Sequence, residues 1–208
     1  MNGESLMERK PYSAGAVKFS FWFPEFRKTV QLLSEGSSFS DIKKLNEEEN
    51  IYGAATKARA QQIFSTVTAR IRALDASFYP LFIESDLATQ KLFALSAALV
   101  HDSLFFDFMY ELVREKLILG IDELTDADIR LFFKNKQEQS EKIASLQDYT
   151  LRRLGSAYKT QLFEAGLLDG NRTKSTRKIL RPILDIAFEH WLYDHDLELL
   201  VRAFTGVR

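Results

Sequence analysis

An all-α fold, a compact multi-helix protein, follows from three features of the chain. Glycine and proline number only nine and four in 208 residues. Apolar side chains recur three and four apart along most of the sequence. Ser, Thr or Asp stands ahead of the periodic runs, where helix N-caps belong. A hydrophobic content of 46% at this length supports a core and excludes disorder.

In chain order the periodicity predicts helices at Pro24–Glu35, Asp41–Glu49, Ala54–Leu74, Asp86–His101, Leu104–Leu119, Asp126–Lys136, Leu146–Ala165, Pro182–Tyr193 and Leu197–Phe204. The first opens on a proline, whose fixed φ suits an initial turn, and stops at Gly36. Ser40, Ser85, Ser103 and Thr125 are the expected caps for the helices that follow them. Asn50 to Gly53 is a tight connection, so residues 40–74 read as a helix-turn-helix. Gly120 and Gly166 mark C-terminal stops, and the acid-rich turn after Thr125 suits the helix dipole. Asp169 to Thr176 breaks periodicity with Gly, Asn, Ser and Thr and reads as a loop. The chain divides near Gly120 to Leu124 into residues 1–120 and 121–208, as two helical halves or as one continuous core.

Absence of cysteine excludes disulfide scaffolds, thiolate metal sites and a cysteine nucleophile, and points to a reducing, cytoplasmic setting. Met1 to Pro11 is polar and charged, unlike a secretion leader. The most apolar window, Leu92 to Tyr110, contains His101, Asp102 and Asp107. Each buried aspartate costs about 2.5–3.5 kcal/mol on insertion scales. The window therefore reads as two core helices meeting at a turn, and not as a membrane span.

Net charge is only −1, but its distribution is uneven. Residues 53–74 carry Lys57, Arg59, Arg70 and Arg72 and no carboxylate. On a helical wheel Ala60, Ile63, Phe64, Val67, Ile71 and Leu74 face inward and Gln62, Ser65, Thr66 and Ala69 outward. Lys57 and Arg72 then lie on one shoulder, Arg59 and Arg70 on the other. Small polar groups bordered by cations suit a surface that enters a groove and straddles phosphates. Gln61 and Gln62 are the side chains there able to read adenine.

A second basic region spans residues 146–181, where Arg152, Arg153, Lys159, Arg172, Lys174, Arg177, Lys178 and Arg181 outnumber Asp148, Glu164 and Asp169. Leu151, Leu154, Tyr158, Leu162 and Ala165 face inward; Arg152, Arg153, Ser156 and Thr160 face outward, with Lys159 at their edge. A helix ending at Gly166, two leucines, a basic loop and an apolar-basic return outline a winged helix, with Asp126–Lys136 as its supporting helix. The loop serves as the wing, whether as a hairpin or in irregular form. Two basic faces of this kind favour nucleic acid over an incidental solvated surface.

Chemistry has little to stand on. His190 and Asp194 are four apart and could share a metal, but a third ligand from His195 would need the helix to break there, and a capped helix end is the preferred account of them. No Gly-rich phosphate loop, nucleophile elbow or zincin motif occurs. The expectation is a non-enzymatic protein with no cofactor and no metal.

Tyr12-Ser13-Ala14-Gly15, Phe23-Pro24-Glu25, Glu49-Asn50 ahead of Ala55-Thr56-Lys57 and Arg59, Glu164-Ala165-Gly166-Leu167-Leu168, and Arg181-Pro182 together resemble the BrxA family over nearly the whole chain. That family is the small helical component of BREX bacteriophage-exclusion systems, with a partial likeness to the antitermination factor NusB. The resemblance implies antiviral defence, double-stranded DNA binding and action beside larger BREX subunits, including a DNA methyltransferase. The expected role is a DNA-binding BREX component of weak sequence specificity. The alternatives are an assembly adaptor for those subunits, or RNA binding as in NusB-like proteins.

Overall fold

A computed structural model describes residues 9–170 and 175–207, and the all-α reading holds apart from one small sheet. Contacts divide the chain into two units, Trp22–His101, and Met1–Phe21 with Asp102–Arg208. The division near Gly120 to Leu124 expected from sequence instead falls inside the second of these, because the strand that follows Gly120 pairs with the chain beyond residue 175.

The unit Trp22–His101 contains α1 (Phe23–Ser34), α2 (Phe39–Glu49), α3 (Lys57–Ile71), α4 (Phe78–Glu84) and α5 (Leu87–His101). Helix α3 packs on α1, α2 and α5. Phe26, Phe78, Phe82 and Phe93 form an aromatic core with ring centroids 5.5–6.2 Å apart. Ser38, not Ser40, caps α2 through a reciprocal box with Asp41, and Thr56 caps α3. The connection between these two helices is therefore residues 50–56, longer than a three- or four-residue helix-turn-helix turn. It is closed by Asn50, whose side chain exchanges hydrogen bonds with the Ala54 backbone at 2.8 and 3.0 Å.

In the other unit a 3₁₀ turn (Gly15–Lys18) precedes α6 (Ser103–Asp107), a π-helical segment (Phe108–Val113) and α7 (Arg114–Ile118). Then come β1 (Glu123–Thr125), α8 (Asp126–Gln139), α9 (Glu141–Ala144), α10 (Asp148–Glu164), β2 (Thr176–Lys178), α11 (Ile186–Asp194) and α12 (Glu198–Thr205). β1 and β2 are antiparallel, with Leu124 opposite Arg177. A bridge between Leu168 and Ile179 closes the chain that leaves α10 against the residue that follows β2. The order is helix, β1, α8, α9, α10, the Leu168 bridge, then β2. Residues 182–185, expected to be helical, lie outside any helix, and Asp185 caps α11.

Tyr158 centres the core of this unit, stacked at 4.5 Å on Phe105 and lying 5.3 Å from Phe108. Beside it two charges are buried: Lys136 on α8 donates to Asp107 at 2.7 Å and to Glu111 at 2.6 Å. Asp107 also accepts from Arg9 and Tyr12, which fastens the N-terminal segment to this helix pair. Burial opposes the Lys136 charge, yet the two carboxylates outweigh it and hold its pKa above the ordinary lysine value.

Helices α8 and α10 meet at Gly155, where an added Cβ would lie 2.6 Å from Ile129 Cγ2 and 3.4 Å from Phe133. Gly155→Ala is expected to lower stability by about 1–3 kcal/mol through overpacking, measured by urea unfolding. Pairing it with Ile129→Ala should recover part of that loss.

Candidate nucleic-acid interface

The two basic regions expected from sequence behave differently in the structure. On α3, Lys57 is exposed, and Arg72 is exposed with its guanidinium 4.2 Å from the Phe39 ring. Arg59 is half-buried, stacked 4.8 Å from Trp22 and donating to Gln62 Oε1 at 2.7 Å. Arg70 is only 5% exposed, which corrects its placement on an open shoulder. Helix α3 has three neighbouring helices, and Thr66, Thr68 and Ile71 are buried along with Arg70. The exposed positions of α3 reduce to Lys57, Ala58, Gln61 and Ser65.

The region 146–181 is similarly sorted. Arg177 is 2% exposed, with its guanidinium 5.6 Å from the Phe163 ring, so it belongs to the core under β2 and not to a phosphate-facing wing. Lys178 is exposed and reaches Asp122 at 3.4 Å. Arg181 donates to the Leu117 carbonyl at 3.1 Å, and Arg153 to the Val17 carbonyl at 3.2 Å. Lys159 pairs with Asp126 at 2.5 Å. Arg172 and Lys174 lie outside the described residues. Arg152 is exposed and makes no ion pair among the described residues.

Two cations that the sequence reading passed over complete the picture. Arg130 and Lys134 are exposed on α8 and line, with Arg152, Ser156 and Lys159 of α10, a groove of about 430 Å³. Asp126, Arg130, Lys134 and Gln137 recur at offsets 0, 4, 8 and 11, and so do Asp148, Arg152, Ser156 and Lys159. Each set is therefore one stripe on its helix. The Lys159–Asp126 pair ties the end of one stripe to the start of the other. Ile129, Phe133, Leu151 and Gly155 form the floor, so the cations are carried on packed, rigid helices.

The acids of the stripes sit at the helix starts, where the dipole favours them. Four cations against two carboxylates leave the groove net positive. Guanidinium and ammonium groups with a serine hydroxyl between them are the chemistry that can hold an anion. Among the described residues no group of three or more His, Asp or Glu is placed to hold a metal. His195 stacks 4.3 Å from Trp191 and bonds its carbonyl at 2.8 Å. No single described helix is long and apolar enough to cross a membrane.

The start of α8 is fixed by a capping box in which Thr125 and Asp128 serve one another, while Lys116 reaches Asp128 at 2.9 Å. Partial burial tends to raise the Asp128 pKa, but Lys116 and the Thr125 donors outweigh it and hold the carboxyl below its usual range. Its stabilising contribution is complete above the ordinary aspartate pKa of about 3.9 and is lost as pH falls through the lower, folded value. Asp128→Asn should cost about 0.5–2 kcal/mol at neutral pH, the gap to wild type closing in acid, as read from unfolding curves across pH.

Comparison with known proteins adds three findings. The BrxA family matches residues 10–196. A protein named BREX protein BrxA, from Bacillus cereus (strain H3081.97), is 40% identical over 181 residues, 87% of this chain and 90% of the relative. The crystal structure of an uncharacterized protein from Magnetospirillum magneticum shares the fold with a TM-score of 0.79 at 17% identity, covering 95% of this chain and all of that one.

Proposed function

Because the chain belongs to the BrxA family, we propose that it serves a BREX bacteriophage-exclusion system as a non-enzymatic protein that binds double-stranded DNA, mainly through the phosphate backbone. The observation that carries this reading is the pair of cation-bearing stripes facing one groove from α8 and α10. The order of elements around them supports it: helix, β1, α8, α10, the Leu168 bridge and β2 follow the succession of a winged helix. In that succession α10 is the reading helix. Arg130, Lys134 and Arg152 supply the phosphate contacts and Ser156 a neutral one. Weak sequence preference follows from the absence of Asn or Gln among the exposed residues of α10.

Each phosphate contact releases condensed counterions, so affinity should fall steeply with salt. Replacing Arg130, Lys134 and Arg152 together by alanine is expected to weaken duplex binding at least tenfold in low salt. It should also reduce the slope of log affinity against log salt by about one per lost contact. Arg70→Ala and Arg177→Ala, which remove buried groups, should lower stability and leave that slope unchanged in protein that remains folded. An unaltered slope in the triple variant would reject the assignment.

One observation favours a second reading, docking toward larger BREX subunits. Leu119, Ile183 and Ile186 are 68%, 95% and 71% exposed; exposed apolar side chains mark a protein contact where they form one contiguous patch, and Ile183 and Ile186 stand three residues apart in the chain. Co-purification with a subunit that survives high salt, alongside no duplex binding, would replace the first reading by this one. Competition between duplex DNA and RNA separates DNA binding from an RNA role.

A further inference from the structure

Helices α8 and α10 run antiparallel where they meet: Lys159 reaches Asp126 at 2.5 Å, and Gly155 lies against Ile129 and Phe133. The two stripes that line the groove therefore pair in opposite order. Asp126 faces Lys159, Arg130 faces Ser156, Lys134 faces Arg152, and Gln137 faces Asp148. Charge along the groove is then uneven. One end is closed by the Asp126–Lys159 ion pair, and the other carries an aspartate beside a neutral amide. Arg130, Lys134 and Arg152 stand between these ends, exposed and without an ion pair among the described residues. A rise of about 1.5 Å per residue sets Arg130 and Lys134 only about 6 Å apart along α8, so three cations serve one short stretch. Opposite Arg130, α10 presents the small Gly155 and Ser156.

We infer that this stretch seats a terminal phosphate of a DNA strand, a phosphate monoester, in preference to the diester links within the strand. The inference rests on the duplex reading and narrows it to strand ends. A diester carries one charge and two free oxygens. A monoester carries about −1.5 to −2 at neutral pH and offers three acceptor oxygens. Three cations converging on one stretch match the monoester, and the two guanidinium groups can each bind its oxygens through paired hydrogen bonds. A strand laid along the whole groove must pass Asp148 at one end and Asp126 at the other. A strand that terminates in the middle passes one of them, or neither if it enters from the open side.

Duplexes of one sequence test the inference: one with a phosphate at each 5′ terminus, one with a phosphate at each 3′ terminus, one with hydroxyl groups at every terminus, and one closed at both ends by hairpin loops. In anisotropy titrations of the full chain, a phosphorylated duplex should bind about tenfold more tightly than the hydroxyl-ended one, and the hydroxyl-ended one no more tightly than the closed one. Preference for either phosphorylated duplex supports the inference. AMP and adenosine are then tried as competitors. Displacement by AMP alone, at concentrations well above those of the duplex, supports a monoester seat; AMP binding as tightly as the phosphorylated duplex makes the source a free nucleotide and overturns the strand-end assignment. Arg130→Gln with Lys134→Gln, both on the exposed side of α8, should bring the phosphorylated and hydroxyl-ended duplexes to equal affinity, while Lys142→Gln, outside the groove, should leave the preference intact. Equal affinity of the wild-type chain for all the duplexes overturns the inference and leaves duplex binding in place; absence of binding to any of them removes both.

Discussion

A buried lysine sets the geometry on which the candidate interface depends. Lys136 is held by Asp107 and Glu111 from the α6 and π-helical stretch, and removing one member of such a buried pair strands the other charge at a cost of about 3–5 kcal/mol. The contact fixes the direction of α8 from its inner side. With that side committed, the stripe of Arg130 and Lys134 has one orientation, along the groove that α10 completes. Gly155 determines how closely α10 approaches, since nothing larger than hydrogen fits against Ile129. Arg9 and Tyr12 join the same network, and Arg153 holds the carbonyl of Val17. The N-terminal segment thus braces both helices of the groove.

This bracing explains why counting cations is a poor guide to where charge is available. Arg70 and Arg177 contribute formal charge to the basic segments but are enclosed. Lys159 is partly neutralised by Asp126, and Arg153 and Arg181 serve backbone carbonyls. The field facing solvent in the groove comes from Arg130, Lys134 and Arg152, two of which lie on a helix that also carries Asp126 and Asp128. Acids at a helix start are favoured by its dipole and leave the stripe beyond them free to be positive.

Much of the fold was legible because local rules and packing agree. Periodicity placed most of the helices, and Gly36, Gly120 and Gly166 all have positive φ at helix ends. Several caps were displaced by a residue or two because a neighbour made the better acceptor. Asp86 serves Thr89 where Ser85 was expected, and Asp102 serves Leu104 and Phe105 in place of Ser103. Helix α4 was missed since it is only seven residues long, Phe78–Glu84, and its buried stripe is just Phe78 and Phe82. The α10 face was read correctly, with Leu151, Leu154, Tyr158 and Leu162 all inward. Burial of Arg70 was not legible, because a wheel knows one packing face and α3 has three neighbours. Arg130 and Lys134 escaped notice for a different reason: searching for acid-free windows hides a cationic stripe that shares its helix with dipole-favoured aspartates. The pairing of β1 with β2 joins segments some fifty residues apart, and no local pattern announces it.

The chain contains no cysteine, so a single one can be introduced and labelled with a photoreactive group without competing sites. Ser156→Cys places the label between the two stripes, and Asp194→Cys places it on exposed α11. On irradiation with duplex DNA at moderate salt, the account predicts crosslinking from position 156 and little or none from position 194. Equal crosslinking from the two positions, or none from position 156 while the protein still binds duplex, would contradict it.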